Sequence, residues 1–247
     1  MFQSAKRLLA RAASTVSPRA WLRFEILRRS HHFEPEFWLL PDLCRGGVAL
    51  DVGGNAGQFA YQMARTARTV HVFEPNPACL TDIIRVRTSN MLLHPYGLSD
   101  RDGEAHLRVD PNNTGIGTVE EANSLTNNPG IGSLTTFEVS VRRLDSLGLG
   151  RVDFAKIDVE GHEPAVVRGA LETIAAHRPT LLIEIELRHN PTSFFDIEAM
   201  LSPLGYGCFY LRDGILAPTR AGDQARLQSG QPGGPDYVNN FIFKPRR

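Results

Sequence analysis

Val48-Ala49-Leu50-Asp51-Val52, followed by Gly53-Gly54-Asn55-Ala56-Gly57, decides the fold. The first five residues are a short, mostly apolar run, the pattern of a strand buried on both faces of a parallel sheet. The next five form a glycine-rich turn, and Gln58 to Thr66 continues as a helical stretch. At the carboxyl end of a parallel strand, glycines let backbone approach a ligand closely. The helix that follows offers unpaired N–H groups at its start. Thr69 to Phe73 reads as a second strand, Ala78 to Thr88 as a second helix and Met91 to His94 as a third strand. The rhythm breaks after Gly97: Glu104–Val109 and Thr136–Val141 alternate in character like strands, and the polar stretch Asn112 to Thr135 reads as a long functional or mobile loop. It resumes with strand Asp153–Asp158, helix Pro164–His177, strand Thr180–Glu186, helix Phe194–Leu204 and strand Gly207–Leu211. Tyr237–Phe243 follows as a last strand after a Gly/Pro-rich loop. Alternating strands and helices imply an α/β doubly wound, mostly parallel sheet, with an antiparallel strand near one edge.

Composition fits one sizeable domain: 247 residues, 42% hydrophobic and 22% charged, with 22 Gly and 16 Pro, which excludes collagen-like and largely disordered chains. Cys44, Cys79 and Cys208 are odd in number and lack CxxC spacing, so neither a disulfide framework nor a zinc site is indicated, and a cytoplasmic location is expected. Net charge is zero, but residues 1–30 hold seven Lys or Arg against Glu25 alone, a local +6 that leaves −6 elsewhere. A chain-wide nucleic-acid footprint is therefore not expected. Residues 1–45 read as a basic helical extension or cap, broken near Ser17-Pro18, Pro35 and Pro41, ahead of a ligand-binding domain over 46–247. Its Arg-, Ala- and Ser-rich start has the composition of a transit peptide. A surface helix, or one resting on acidic lipid or a protein partner, is the reading preferred here. Trp21, Phe24, Phe33, Phe37 and Trp38 suit packing over the sheet or a lid. Oligomeric state is not legible.

Glu74 stands 23 residues after Asp51, at the end of the second strand. An acid there accepts hydrogen bonds from both ribose hydroxyls of a nucleoside. Dinucleotides and S-adenosylmethionine both use this geometry. The dinucleotide spacing G-x-G-x-x-G fails, because Asn55 and Gln58 fall where its second and third glycines belong. Asp51 would also oppose a pyrophosphate, whereas it suits the ammonium of a bound amino-acid moiety. A nicotinamide-dependent oxidoreductase is therefore a weaker alternative, and a non-catalytic nucleoside-binding interaction module a second one.

Four blocks occur in a recognisable order: Asp51–Gly57, Phe73-Glu74-Pro75-Asn76-Pro77, Gly97-Leu98-Ser99-Asp100 and Lys156-Ile157-Asp158-Val159-Glu160-Gly161-His162-Glu163. From about Glu34 to Pro245 the chain resembles FkbM-type methyltransferases, departing at Gly54 and His162, where the family usually has Ala. The resemblance implies a class I methyltransferase fold with seven strands in order 3-2-1-4-5-7-6, the seventh antiparallel. It also implies methyl transfer from S-adenosylmethionine to a hydroxyl of a sugar, glycan or secondary metabolite. By carry-over, Asp51, Gly53 and Gly57 would line the methionine end, Glu74 would hold the ribose, Asn76 would lie beside the adenosine, and Asn55 in the same turn is a further cofactor-binding candidate. Ser99 and Asp100 would meet the adenine edge, although Ser-Asp-Arg-Asp-Gly also suits a simple turn.

An alcohol acceptor must be held near the sulfonium methyl and lose its proton. Asp158, His162, Glu184 and His189 stand at the ends of the fourth and fifth strands and are the candidate catalytic residues. A structural ion-pair cluster around Lys156 would account for the carboxylates equally. Asp158, Glu184 and Glu186 could also present oxygens to magnesium, but no metal ligand is assigned. Acceptor contacts are expected from Asn112–Thr135 and Arg212–Pro235.

Overall fold

The computed structural model describes residues 17–30, 33–111, 113–120, 123, 125, 133–220, 222–232, 234 and 236–246. The basic stretch before Ser17, His31-His32 and much of the polar stretch around Glu121–Gly132 lie outside the described residues.

β1 (Val48–Val52), β2 (Thr69–Phe73) and β3 (Met91–His94) run parallel, and β8 (Phe154–Ile157) and β9 (Thr180–Glu184) continue the parallel sheet on the other side of β1. β12 (Asn240–Pro245) pairs antiparallel with both β9 and β10 (Tyr206–Arg212). The sheet order is β3-β2-β1-β8-β9-β12-β10-β11, so the seven-strand order implied by the resemblance is present. β11 (Ile215–Pro218) is an eighth strand, inside a segment expected to be loop. It forms a hairpin with β10 through Asp213 and Gly214, both at positive φ (51° and 76°), the conformation that Asp-Gly adopts in tight hairpin turns.

Between β3 and β8 the chain builds a second sheet of order β4-β7-β5-β6: β4 (Gly97–Leu98), β5 (Gly103–Asp110), β6 (Asn113–Thr118) and β7 (Thr135–Arg142). The two alternating segments form its β5–β7 pair. β6 corrects the reading of Asn112–Thr135 as loop throughout. Asn-Thr-Gly-Ile-Gly-Thr has no alternation to betray it, and it is ordered by pairing with β5, with a register shift at Val109/Asp110.

Residues of β1 alternate between two cores. Leu50 and Val52 join Phe73, Ile157, Val166, Ile183, Phe194 and Phe241 on one face, beneath α5 (Glu163–Arg168), α6 (Leu171–His177) and α7 (Ser193–Leu201). Ala49 joins Val70, Val72, Phe154 and Ile242 on the other face, with Ile26 of α1 (Pro18–Arg28), Phe37 and Leu40 of α2 (Pro35–Leu43), Tyr61 of α3 (Gln58–Met63) and Ile83 of α4 (Pro77–Val86). α8 (Asp223–Leu227) follows the β10–β11 hairpin. The proline expectation holds at Pro18 and Pro35, which begin helices, and fails at Pro41, which lies inside α2. The single helix expected over Pro164–His177 is two. A Cβ on Gly169 would sit 1.9 Å from the Ser99 carbonyl oxygen, and Asp145 accepts the Glu172 and Thr173 amides to start α6.

Candidate active site

A cleft enclosing about 730 Å³, part of it open to solvent, lies over the carboxyl ends of β1, β2 and β8. Its floor comes from the parallel sheet: Val52, Gly53, Asn55, Glu74, Asn76, Asp158, Glu160 and His162 line it. Its wall comes from the second sheet, through Leu107, Val109, Gly117, Thr118 and Val119.

The floor is flat because its glycines permit nothing else. Gly53 sits at φ 84°, and a Cβ there would fall 1.9 Å from the Asp158 carbonyl oxygen; at Gly54 it would meet Val72 at 2.4 Å. Gly57, at φ 82°, precedes α3. Glu74 ties the turn to the adjoining loop: one carboxylate oxygen accepts the Asn55 amide and the other the Asn76 amide, both at 2.8 Å. Burial raises its carboxyl to about 7 even against these two donors. Each oxygen retains a second lone pair for a ligand hydroxyl. Asn76 itself caps α4 through the Ala78 amide.

Asp51 is completely buried and does not line the cleft. Neither of its carboxylate oxygens makes a hydrogen bond of normal geometry among the described residues. Burial lifts its carboxyl to about 6, opposed by the charge of Lys156, its register partner on β8. Lys156 is buried between acids. It pairs with Asp158 at 2.8 Å and lies 4.2 Å over the Phe59 ring. Burial works against its charge, but Asp158 and Asp51 together hold the ammonium above its usual range.

Beyond β8 the chain turns sharply, with Glu160 at φ 54° and Gly161 at φ 100°. Glu163 accepts the Val159 and Gly161 amides and fixes that turn. Burial and then the Asp158 charge raise the Glu160 carboxyl to about 8. Glu160 meets His189 Nδ1 at 3.1 Å, while His189 Nε2 is buried with no hydrogen-bond partner among the described residues. Burial depresses the His189 pKa, which favours the neutral ring. His162 is engaged at both nitrogens, by Ser99 Oγ at 2.9 Å and Glu120 at 3.1 Å.

The cleft thus gathers Gly53, Asn55, Glu74, Asn76, Asp158 and His162 from the residues expected to act. Gly57 lies one turn back. Ser99 and Asp100 do not line it: Ser99 turns to His162, and Asp100 to Arg168 at 2.7 Å. Glu184 takes the Asn239 side-chain amide at 2.8 Å, and burial holds its carboxyl well above the usual range. Glu186, expected on the fifth strand, lies past its end and is held by Arg188 and the Tyr237 hydroxyl. The ion-pair reading around Lys156 is therefore realised by Asp158 rather than by the two glutamates. Among the described residues, no three His, Cys, Asp or Glu side chains come together as a metal-binding group, so Asp158, Glu184 and Glu186 do not form one. No described residue of Arg212–Pro235 lines the cleft, and of the other expected acceptor segment Gly117–Val119 do. Sequence reasoning missed the apolar wall. Leu107 and Val109, alternating in β5, carried the only signal for it. Glu160 also went unassigned, because nothing in its spacing announces the His189 contact.

The chain is 33% identical over 141 residues to "Methyltransferase 1" of Beauveria bassiana, covering 49% of this chain and 57% of that protein. It is 30% identical over 155 residues to "Methyltransferase sdnD" of Sordaria araneosa, covering 50% and 60%. The matches thus span little more than half the length of these relatives. The crystal structure of an FkbM methyltransferase from Methylobacillus flagellatus superposes with a TM-score of 0.52 at 17% identity, over 80% of this chain and 43% of that one, a likeness of fold. Residues 51–208, from the acid one residue before the end of β1 to the third residue of β10, match the family described as "Methyltransferase FkbM domain", and the chain belongs to that family.

Proposed function

We propose that the protein is an S-adenosylmethionine-dependent methyltransferase acting on a hydroxyl of a sugar, glycan or secondary metabolite. The observation that carries the reading is Glu74, a buried carboxylate pinned by two backbone amides at the end of β2, with one lone pair left on each oxygen. That is an acceptor for two vicinal hydroxyls, fixed before any ligand arrives. The bound cofactor would supply an electrophilic methyl on its sulfonium. Gly53, Asn55, Glu74 and Asn76 would hold it, against the apolar wall of Leu107 and Val109 that excludes water.

His189 does not line the cleft and reaches it only through Glu160, which does, so it is a positioning residue in this reading. Asp158, paired with Lys156, and His162, engaged at both nitrogens, do line the cleft and are the groups offered to orient the acceptor or take its proton. The test is calorimetric titration with S-adenosylmethionine, with and without magnesium, using Glu74→Ala as the control. Saturable binding lost in the variant supports the reading and justifies screening hydroxylated acceptors. No binding under either condition overturns it.

A further inference from the structure

α1 has two apolar faces but only one core to bury. Ile26 is buried, and Leu22 packs with it against the sheet-side cluster. On the opposite side Phe24 is 52% exposed and Leu27 70% exposed. Ala20, Phe24 and Leu27 are spaced four and three residues apart, so they form one outward stripe. Arg23, whose Nε donates to the Tyr61 hydroxyl and leaves its other guanidinium N–H groups for a ligand, borders that stripe on one side and Arg28 on the other, with Arg19 a turn before Arg23. The single acid of the helix, Glu25, is spent internally on Arg28 at 2.7 Å and Arg29 at 2.9 Å. α1 lies against α4, where Ile84 is 61% exposed.

We infer that this stripe is a docking face for an anionic lipid surface. The charge argument is specific. Over Pro18–Arg29, Arg19, Arg23, Arg28 and Arg29 stand against Glu25 alone, so a negatively charged plane attracts this helix. Only a bilayer interface offers phosphates to the flanking guanidiniums and an apolar boundary to the Phe24–Leu27 stripe at once. A second copy of this face would set arginines against arginines, which argues against self-association here. Attachment of this kind is peripheral; among the described residues, no helix is long and apolar enough to cross a membrane.

The inference stands apart from the methyltransferase reading and is tested separately. The full chain is sedimented with vesicles of phosphatidylcholine alone, or mixed with phosphatidylserine. Binding is expected only to the mixed vesicles, with release in about 1 M salt, where screening confines attraction to about 3 Å. Phe24→Ala/Leu27→Ala should weaken that binding by at least about tenfold. Because both side chains are exposed, its melting temperature should match the parent's. Charge reversal at Arg19 and Arg28 should weaken binding comparably. Equal binding to both vesicle types, no binding to either, or full binding by the double alanine variant would overturn the inference. So would an oligomeric parent that becomes monomeric in that variant, which would assign the stripe to self-association.

Discussion

Replacing Glu74 by Gln separates what that carboxylate costs the folded chain from what it gives a ligand. Burial lifts its pKa from 4.5 to about 7. A carboxylate with a raised folded-state pKa binds its proton more tightly in the native than in the unfolded chain. Stability therefore falls as pH rises from 4.5 through about 7, and the full loss is present above that. At about 1.4 kcal/mol per pKa unit the loss is about 3 kcal/mol, an order-of-magnitude figure. Glu74→Gln removes the titration and keeps one acceptor, but sets an NH2 group against one of the two backbone amides, at a cost of about 1–3 kcal/mol. At pH 8 the variant should therefore be no less stable than the parent. Its stability should also lack one proton's worth of the decline between pH 5 and 7. Cofactor binding should move the other way: with one charged acceptor gone, affinity should drop by about 1.5–3 kcal/mol, roughly 10- to 150-fold in Kd. Denaturant melts at pH 5, 6, 7 and 8 give the first quantity, and calorimetric titration with S-adenosylmethionine gives the second. A variant that is less stable at pH 8 yet binds as tightly as the parent would refute both the electrostatic account and the ribose assignment.

In the parent protein, cofactor affinity should weaken below about pH 7 as Glu74 takes up a proton, and binding there should release that proton; calorimetry in buffers of different ionisation enthalpy reads this directly. Asp158→Asn should lower turnover about 100-fold or more while leaving cofactor affinity within about twofold, and an unaltered rate on a good acceptor would remove Asp158 from the proton transfer. Gly169→Ala, at a distance from the cleft, should destabilise the fold by more than about 3 kcal/mol, because its Cβ would collide with the Ser99 carbonyl; a melt close to the parent's would contradict the packing there. Phe37→Ala should cost about 3–5 kcal/mol, since the ring is fully buried against the sheet-side core. A loss under 1 kcal/mol would mean that α2 is dispensable to the domain.

The parallel half of the fold was legible because apolar strands buried on both faces, each followed by a helix, leave an unambiguous mark in sequence. The glycine turn and Glu74 were legible for a related reason: close backbone approach at Gly53 tolerates no side chain. What escaped was structure that owes its existence to pairing rather than to pattern. β6 has glycines where a strand would show alternating side chains, and only β5 beside it makes it a strand. β11 depends on the Asp213-Gly214 turn, whose signal lay inside a segment too rich in Gly and Pro to read as sheet. Sequence spacing could place Ser99 and Asp100 near the third strand but not orient them, because the partners that turn them aside, His162 and Arg168, come from a helix region more than sixty residues on. Nor could spacing show that Asp158 and His162 line the cleft while His189 reaches it only through Glu160.

The division of the cleft between two sheets separates the chemistry into parts that can vary independently. Everything proposed to hold the nucleoside hangs on β1, β2 and β8, while the facing wall hangs on a segment that leaves the main sheet after β3 and returns before β8. Lengthening the β5–β6 connection, or recolouring the inward positions of β5 and β6, reshapes the space above the floor without disturbing a single parallel strand. A lineage built on this plan can change which molecule it accepts by drift in one stretch of about fifty residues, with the donor platform inherited intact.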